Sequence, residues 1–479
     1  MTIVRAAAIL AVVPALAFLL LCCHFGPGPG PADLLDRILL PRAPSPEESS
    51  GRPRRWGPHN DTTDADGGST IIITPYTVRV DDTDLVDLRS RLDRWKPPGA
   101  PMDHDGSWNY GMDSTYMSAL VQYWKDGYDW RKYESRLNDL GLMETSIDGL
   151  KIRFHDVRRG DDDDEKRKAL LLLHGWPGSV WEFQNFLRRI IDRKDLNDFS
   201  IVCPCLPGYG FSDSPVVEGY NVVAMAGTMQ RLMKRLGYER YIVQAGDWGS
   251  IVAQSMAYLD PTPVIGLHLN FFSVSPTPGH FLPERLEIKF RDDEDSRSRA
   301  RKGGDLGGIL SATGYLHQQA TKPETLGYAL SDSPVGLCAW IAEKFQSWSD
   351  PNVNLGEKFS MDDILTNCMI YWITNSINSS MRLYKEQFRT DEAASVDRLP
   401  VEVPAALSLF PHEIFPPADA SVRRKFKNII LFSKHDVGGH FAALEQPALL
   451  LQDLADFVDR LRAVARSKDD GESMGVDEL

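Results

Sequence analysis

The chain has 479 residues, of which 42% are hydrophobic and 25% charged, so it can bury a large core and wholesale disorder is excluded. Its 53 Lys and Arg residues against 67 Asp and Glu residues give a net charge of −14. This acidic balance argues against a nucleic-acid-binding function, which requires a basic surface. The six cysteines show no Cys-x-x-Cys pair and no Cys/His spacing typical of metal sites.

The N-terminus contains an uncharged apolar run, AAAILAVVPALAFLLLCC, from Ala6 to Cys23. Such a run is just long enough to cross a bilayer, so we predict a membrane anchor over residues 1–25 in preference to a cleaved signal peptide. Arginines downstream of the run favour a cytosolic main domain, whereas the C-terminal VDEL resembles a lumenal retrieval signal. Both indications predict the endoplasmic reticulum membrane, and the side of the membrane stays open.

Two segments separate this anchor from the main body of the chain. Residues 26–68 are rich in Pro, Gly, Ser and Asp, which predicts a flexible linker. Residues 69–150 contain the strand-like pattern TVRV, followed by a helix that opens at an Asp-Thr-Asp cap. We therefore predict an ordered, mainly helical N-terminal segment.

From residue 151 the pattern becomes that of an α/β protein. After LKIRFHDV, the apolar runs ALLLLHG, SIVCPCLPG, YIVQAG, PVIGLHLNF and NIILFSKHD are separated by amphipathic helices, which predicts a mostly parallel central sheet. The alternation stops over 275–405, where helix-rich, aromatic sequence predicts an inserted lid. The sheet domain is therefore predicted over 151–274 and 406–466, followed by an acidic tail over 467–479.

The stretch VQAGDWGS has the form of a nucleophile elbow, a strained strand-to-helix turn that needs small residues on both sides of the nucleophile. Ala245 and Gly249 are the small residues, and the nucleophile position is Asp247. An aspartate that only caps the following helix would not explain the flanking Gly246, Trp248 and Gly249. The chain has no Gly-x-Ser-x-Gly motif, so an ordinary serine hydrolase has no candidate nucleophile.

A second loop, HGWPGS, follows the strand ALLLLHG and can turn a backbone N–H towards the elbow. In this class of fold the oxyanion hole combines the N–H after the nucleophile, here Trp248, with one from the upstream loop, here Trp176. His174 lies at the start of the same loop. We predict a structural role for it, because the catalytic base comes last in the chain order of this fold.

The catalytic base is expected near the C-terminus, after an acidic residue that orients it. The sequence SKHDVGGHFAALE offers His435 and His440, and the Gly-Gly loop before a helix favours His440. The orienting acid is either Asp436, in the same loop, or Glu413, 27 residues before His440. Spacing alone does not decide between the two acids.

The motifs HGWPGSVWEF, LPGYGFSDSP, GDWGS, FPHE and GGHFAALE together resemble the epoxide hydrolases of the α/β-hydrolase superfamily. Residues 314–348 narrow the resemblance to the microsomal group, which includes the insect juvenile-hormone epoxide hydrolases. The resemblance covers residues from about 70 to 463 and implies an α/β-hydrolase fold with a helical lid.

The resemblance also implies roles for individual residues. Asp247 matches the family's nucleophile and His440 its water-activating base. Glu413 matches the acid that orients the histidine, which decides against Asp436. Two further matches are lid tyrosines that hold the epoxide oxygen, Tyr315 and Tyr384. Reasoning from the residues alone does not select these two among the fifteen tyrosines.

The resemblance implies conversion of apolar epoxides to vicinal diols through an ester on Asp247, which water activated by His440 then hydrolyses. This chemistry needs only substrate and water, so no metal or cofactor is expected. Two alternative functions fit parts of the sequence. Haloalkane dehalogenases share the Asp elbow but lack the tyrosine pair, and non-catalytic binding proteins of this fold usually lack one member of the nucleophile–base–acid set. The physiological epoxide and the oligomeric state stay open.

Overall fold

The computed structural model describes residues 55–59, 72–99, 108–157, 168–272, 306–389, 396, 399–417 and 419–469. Within these ranges nine strands form one sheet. In chain order the strands are β1 (Thr74–Tyr76), β2 (Leu142–Ile147), β3 (Leu150–Val157), β4 (Lys168–Leu173), β5 (Phe199–Pro204), β6 (Arg240–Ala245), β7 (Val264–Leu269), β8 (Ala405–Leu409) and β9 (Ile429–Lys434).

The sheet has the order β1-β2-β3-β5-β4-β6-β7-β8-β9. The pairs β1–β2, β2–β3 and β3–β5 are antiparallel, and every other neighbouring pair is parallel. Strands β4, β5 and β6 are buried along almost their whole length, which explains why they consist of continuous apolar runs rather than alternating patterns. The predicted mostly parallel central sheet is confirmed.

The predicted strand at TVRV is wrong by a few residues. The strand is Thr74–Tyr76, and the backbone that follows it pairs with side chains instead of a neighbouring strand. Asn138 bonds both the N–H and the carbonyl of Val78 at 2.9 Å, and Glu134 accepts from the N–H of Val80 at 2.7 Å. These contacts satisfy an extended segment that a sequence pattern cannot distinguish from a strand.

Helices cover both the N-terminal segment and the sheet. They are α1 (Asp82–Arg94), α2 (Ser114–Asp126), α3 (Trp130–Asn138), α4 (Gln184–Asp192), α5 (Val222–Arg235), α6 (Asp247–Leu259), α7 (Leu306–Thr321), α8 (Pro323–Asp332), α9 (Pro334–Ser347), α10 (Leu355–Lys358), α11 (Met361–Thr374), α12 (Ile377–Gln387), α13 (Asp419–Lys425), α14 (Ala442–Glu445) and α15 (Pro447–Asp469). Helix α5 packs on α6, and α15 packs on α4, β8 and β9. Helices α7 to α12 all lie between β7 and β8 in the chain.

The predicted anchor over residues 1–25 lies outside the described residues. In the part of the chain that the structure covers, no helix is both long and apolar enough to span a bilayer. Residues 55–59, which belong to the predicted linker, pack against the body of the protein. There the N–H of Trp56 donates to the carbonyl of Asp148 at 2.8 Å, and its ring meets Tyr220 edge-on at 5.2 Å.

Candidate active site

The elbow lies where β6 ends at Ala245 and α6 begins at Asp247. Asp247 has a φ of +46°, which is a strained backbone conformation for a residue with a side chain. A Cβ atom at Gly249 would collide with the carbonyl oxygens of Leu173 and His174. The small residue two positions after Asp247 therefore lets the elbow approach the end of β4.

The loop after β4 holds one oxygen of the Asp247 carboxylate. Strands β4 and β6 are parallel neighbours that end together, with Leu173 opposite Ala245. From the following loop the backbone N–H of Trp176 donates to Asp247 Oδ1 at 2.7 Å. Trp248 is the second residue of α6, so its N–H has no partner within the helix. The backbone N–H of Trp176, a predicted oxyanion donor, therefore contacts the carboxylate of Asp247 directly.

The other oxygen of Asp247 faces a buried histidine. His440 Nε2 lies 3.2 Å from Asp247 Oδ2, and His440 Nδ1 donates to Glu413 Oε1 at 2.7 Å. The backbone N–H of Ile414 also donates to Glu413 Oε1, at 2.6 Å. The N–H of His440 itself donates to the carbonyl of Trp348 at 2.9 Å. The structure therefore joins Asp247, His440 and Glu413 in one buried chain of contacts.

The charge state of His440 follows from its neighbours. Burial lowers the pKa of the imidazole, but the negative charges and hydrogen bonds of Glu413 and Asp247 outweigh this effect and raise it well above 6.5. His440 is therefore protonated at neutral pH as long as Asp247 carries its charge.

The two lid tyrosines, Tyr315 on α7 and Tyr384 on α12, lie next to the elbow loop. Tyr315 stacks on the ring of Trp176 at 5.4 Å, and Tyr384 meets the same ring edge-on at 5.7 Å. Their own rings are 6.0 Å apart, and Tyr384 also contacts Trp248 at 4.8 Å. Burial raises the pKa of both phenols, so they stay neutral and keep their O–H groups as donors.

His174 is occupied by its own backbone surroundings. Its Nδ1 pairs with the carbonyl of Gly175 at 3.2 Å, and its Nε2 accepts from the N–H of Leu206 at the same distance. Burial lowers the pKa of this imidazole to about 4. A neutral ring with both nitrogens engaged agrees with the predicted structural role.

The two remaining candidates from the C-terminal loop do not contact the elbow residue. His435 Nε2 donates to Asp453 Oδ2 on α15 at 2.7 Å, and its ring stacks on Phe410. Asp436 is exposed to solvent. Of the alternatives considered from the sequence, the geometry joins His440 and Glu413 to the nucleophile position.

Comparison with known proteins agrees with this architecture. Residues 73–183 match the family model described as epoxide hydrolase N terminus, and residues 168–375 match that described as alpha/beta hydrolase fold. The crystal structure of juvenile hormone epoxide hydrolase from the silkworm Bombyx mori is 30% identical, with a TM-score of 0.78. That comparison covers 86% of this chain and 99% of the silkworm chain.

Epoxide hydrolase 1 of Sus scrofa is 37% identical over 423 residues, which cover 85% of this chain and 92% of the pig protein. The chain belongs to the epoxide hydrolase family. Juvenile hormone epoxide hydrolase of Manduca sexta is 36% identical over 438 residues, covering 88% of this chain and 92% of that protein. Epoxide hydrolysis is thus the activity of this chain, and the α/β-hydrolase fold that the motifs imply is confirmed.

Some features of this epoxide hydrolase's site are visible only in three dimensions. Trp348, from the end of α9, binds the backbone of His440 and packs on its ring at 5.0 Å, although no motif selects it. Glu182, in the quoted motif HGWPGSVWEF, lines a cavity with Asp247 and His440. Its apolar neighbours in the sequence give no signal of that position. Among the described residues, no cluster of His, Cys, Asp and Glu is arranged to hold a metal ion.

Proposed function

We propose that this epoxide hydrolase acts through a covalent ester on Asp247. The observation that carries the proposal is the position of the Asp247 carboxylate, which lies between the N–H of Trp176 at 2.7 Å and His440 at 3.2 Å. One carboxylate oxygen is thus held by an oxyanion donor, and the other is next to a base that can act on a water molecule.

In the first step, a carboxylate oxygen of Asp247 attacks an epoxide carbon and the carbon–oxygen bond of the ring breaks. A carboxylate suffices because ring strain assists the reaction and the nucleophile is already aligned in a dry site. The oxygen of the opened ring becomes an alkoxide, which is far more basic than a phenolate. Tyr315 and Tyr384 each donate a hydrogen bond to it, and one of them transfers its proton.

In the second step, water attacks the carbonyl carbon of the ester. His440 takes a proton from this water, and Glu413 keeps the imidazole oriented and stabilises its positive charge. The backbone N–H groups of Trp176 and Trp248 hold the oxyanion that forms. When the carbon–oxygen bond to the substrate breaks, the departing oxygen takes the proton from His440 and the diol leaves. The new carboxyl group of Asp247 then gives the remaining water proton to His440, so the cycle ends as it began, with a carboxylate next to a protonated imidazole.

The first step prepares His440 for the second. As a carboxylate, Asp247 helps to raise the pKa of His440, so the imidazole begins the cycle protonated. The ester is neutral, so this part of the attraction is lost and the pKa of His440 falls. His440 gives up its proton, which restores the phenol of the tyrosine that protonated the alkoxide, and the neutral imidazole can then act as the base.

We further propose that the substrates are apolar epoxides. The reacting groups are surrounded by the rings of Trp176, Trp348, Tyr315 and Tyr384, which favours apolar groups around the epoxide. Relatives named for juvenile hormone make a terpenoid epoxide one candidate. Arene, alkene and fatty-acid epoxides fit the same surroundings.

In this proposal, residues 275–405 form the lid that supplies the two tyrosines, and residues 151–274 and 406–466 supply the nucleophile, the acid and the base. Residues 1–25 anchor the protein in the endoplasmic reticulum membrane and the linker connects the anchor to residues 69–150. Membrane extraction with carbonate tests this arrangement, because the full-length chain is expected to stay in the pellet and a chain lacking residues 1–25 to be released. Release of both would contradict the anchor.

The experiment that tests the ester is a single turnover in oxygen-18 water, with the enzyme in excess over styrene oxide. We expect the label in the peptide that carries Asp247 and an unlabelled diol, because water attacks the enzyme's own carbonyl carbon. Asp247→Asn is the control and should produce neither labelled peptide nor diol. Label found directly in the first-turnover diol would mean that water attacks the epoxide itself, and the ester proposal would be wrong.

A further inference from the structure

A small cavity lies against the reacting groups on the side of the elbow loop. It is lined by Glu182, Gly246, Asp247, His440 and Phe441, together with three residues of the loop after β4. Its volume is about 10 Å³. That is roughly the space one ordered water requires and far too little for an organic substrate.

Glu182 is the one wall residue with an ionisable side chain that the proposed mechanism does not use. It lies in a 3₁₀ turn, Val180–Phe183, where its N–H donates to the carbonyl of Ser179 at 3.0 Å. Its carboxyl group reaches back to the loop after β4, since a Cβ atom at Gly178 would lie 2.6 Å from Glu182 Oε2. The fold therefore directs this carboxyl group towards the cavity.

The surroundings of Glu182 keep it in its neutral form. Burial raises the pKa of the carboxyl group to about 8. His440 opposes this rise, whereas the negative charges of Asp247 and Glu445 add to it. A neutral carboxyl group can accept a hydrogen bond from water without adding a negative charge next to the developing oxyanion.

We propose that Glu182 binds the hydrolytic water of the second step, together with His440. In the cavity this water gives one hydrogen to His440 Nε2 and the other to an oxygen of Glu182. One lone pair is then left facing the carbonyl carbon of Asp247. When the water oxygen bonds to that carbon, its first proton passes to His440, which returns it to the departing diol oxygen. The second proton stays on the new carboxyl group of Asp247 until His440, neutral again, removes it; Glu182 keeps its own proton throughout.

This inference rests on the proposed ester mechanism and makes a narrower claim. A residue that binds only the hydrolytic water has no part in opening the epoxide. Changes at Glu182 should therefore slow the hydrolysis of the ester and leave its formation unchanged. A residue with a purely structural role would change both rates, or neither.

The test measures the two steps separately by rapid mixing of the full-length enzyme with styrene oxide, followed by quenching and mass analysis of the Asp247 peptide. Glu182→Met keeps the side-chain volume and removes the acceptor, so we expect ester hydrolysis to fall about 10- to 100-fold with ester formation unchanged. Glu182→Gln is the matched control, because its amide oxygen still accepts a hydrogen bond. It should keep hydrolysis within about threefold of wild type.

Gly178→Ala tests the same cavity without changing Glu182. Its new methyl group must displace the carboxyl oxygen, so hydrolysis should again be the step that slows. Normal hydrolysis in Glu182→Met, an equal loss in Glu182→Gln and Glu182→Met, or an equal loss of both steps would overturn the role of Glu182. Absence of any ester in the wild-type enzyme would instead overturn the proposed mechanism, and this inference with it.

Discussion

Two histidine–carboxylate pairs lie at the edge of the sheet where the parallel strands end, and only one of them contacts the elbow. His440 donates to Glu413 at 2.7 Å, and His435, five residues earlier, donates to Asp453 at the same distance. Both histidines come from the loop after β9. From the histidine–carboxylate hydrogen bond alone, either histidine could be a catalytic base oriented by its carboxylate.

The two pairs differ in the other groups that they contact. His440 turns its other nitrogen to Asp247, at the strained start of α6. In the second pair, Asp453 Oδ2 also accepts from Ser408 Oγ at 2.5 Å, and that hydroxyl pairs with His268 Nε2 at 3.0 Å. This network connects β7, β8 and α15 inside the protein. In this protein the histidine–carboxylate pair alone therefore does not identify the candidate base; the contact of His440 with Asp247 does.

Replacing each histidine by glutamine should show the largest difference between the two pairs. His440→Gln removes the base, so we expect ester hydrolysis to fall about 1,000-fold and the ester on Asp247 to accumulate. His435→Gln should leave both steps within a few-fold of wild type and lower the free energy of unfolding by about 1 kcal/mol. Rapid quenching with mass analysis measures the ester, and urea unfolding measures the stability. Comparable ester accumulation in both variants would remove the distinction.

Replacing each of the two acids by its amide should give the same difference between the pairs, with a smaller effect on hydrolysis. Glu413→Gln can still accept the hydrogen bond from His440 but loses the charge that stabilises the imidazolium, so hydrolysis should fall about 100-fold. Asp453→Asn weakens its bonds to Ser408 and His435, so it should cost about 1–3 kcal/mol of unfolding free energy and spare the hydrolysis rate. The same two assays apply. A stable but slow Asp453→Asn would connect the second pair to catalysis.

The elbow could be predicted from sequence because its requirements are local. A buried strand, two small residues and a helix all lie within a few positions of Asp247, so the motif itself carries the geometry. The acid cannot be chosen in this way, because β8 is a five-residue strand after a long insertion and its short pattern does not identify it as a strand. The local pattern therefore does not distinguish Glu413 from Asp436, whereas the family resemblance does.

The lid tyrosines and Glu182 depend on long-range packing. Tyr315 and Tyr384 lie on different helices and meet only across the ring of Trp176, a contact that no local pattern encodes. Glu182 lies among hydrophobic residues in the motif HGWPGSVWEF. The direction of its carboxyl group is visible only in the structure, from its closeness to Gly178. Sequence patterns thus predicted the sheet and the nucleophile, whereas the groups around them required tertiary structure.

The smallest expected effect is a pH dependence of stability that His440 contributes. Its pKa in the folded enzyme is raised well above the 6.5 of an unperturbed histidine, despite its burial, by Glu413 and Asp247. The folded state therefore binds this proton more tightly than the unfolded state does. The resulting stabilisation is fully present below about pH 6.5 and is lost as the pH rises through the pKa of the folded protein.

His440→Gln lacks this contribution, so the difference in unfolding free energy between wild type and variant should shrink as the pH rises above about 6.5. Urea unfolding of both proteins at a series of pH values measures it. Glu413→Gln provides an internal check, since losing the carboxylate charge lowers the pKa of His440 and should move the decline to lower pH. A difference that stayed constant over the whole range would mean that Asp247 and Glu413 do not hold His440 in its charged form.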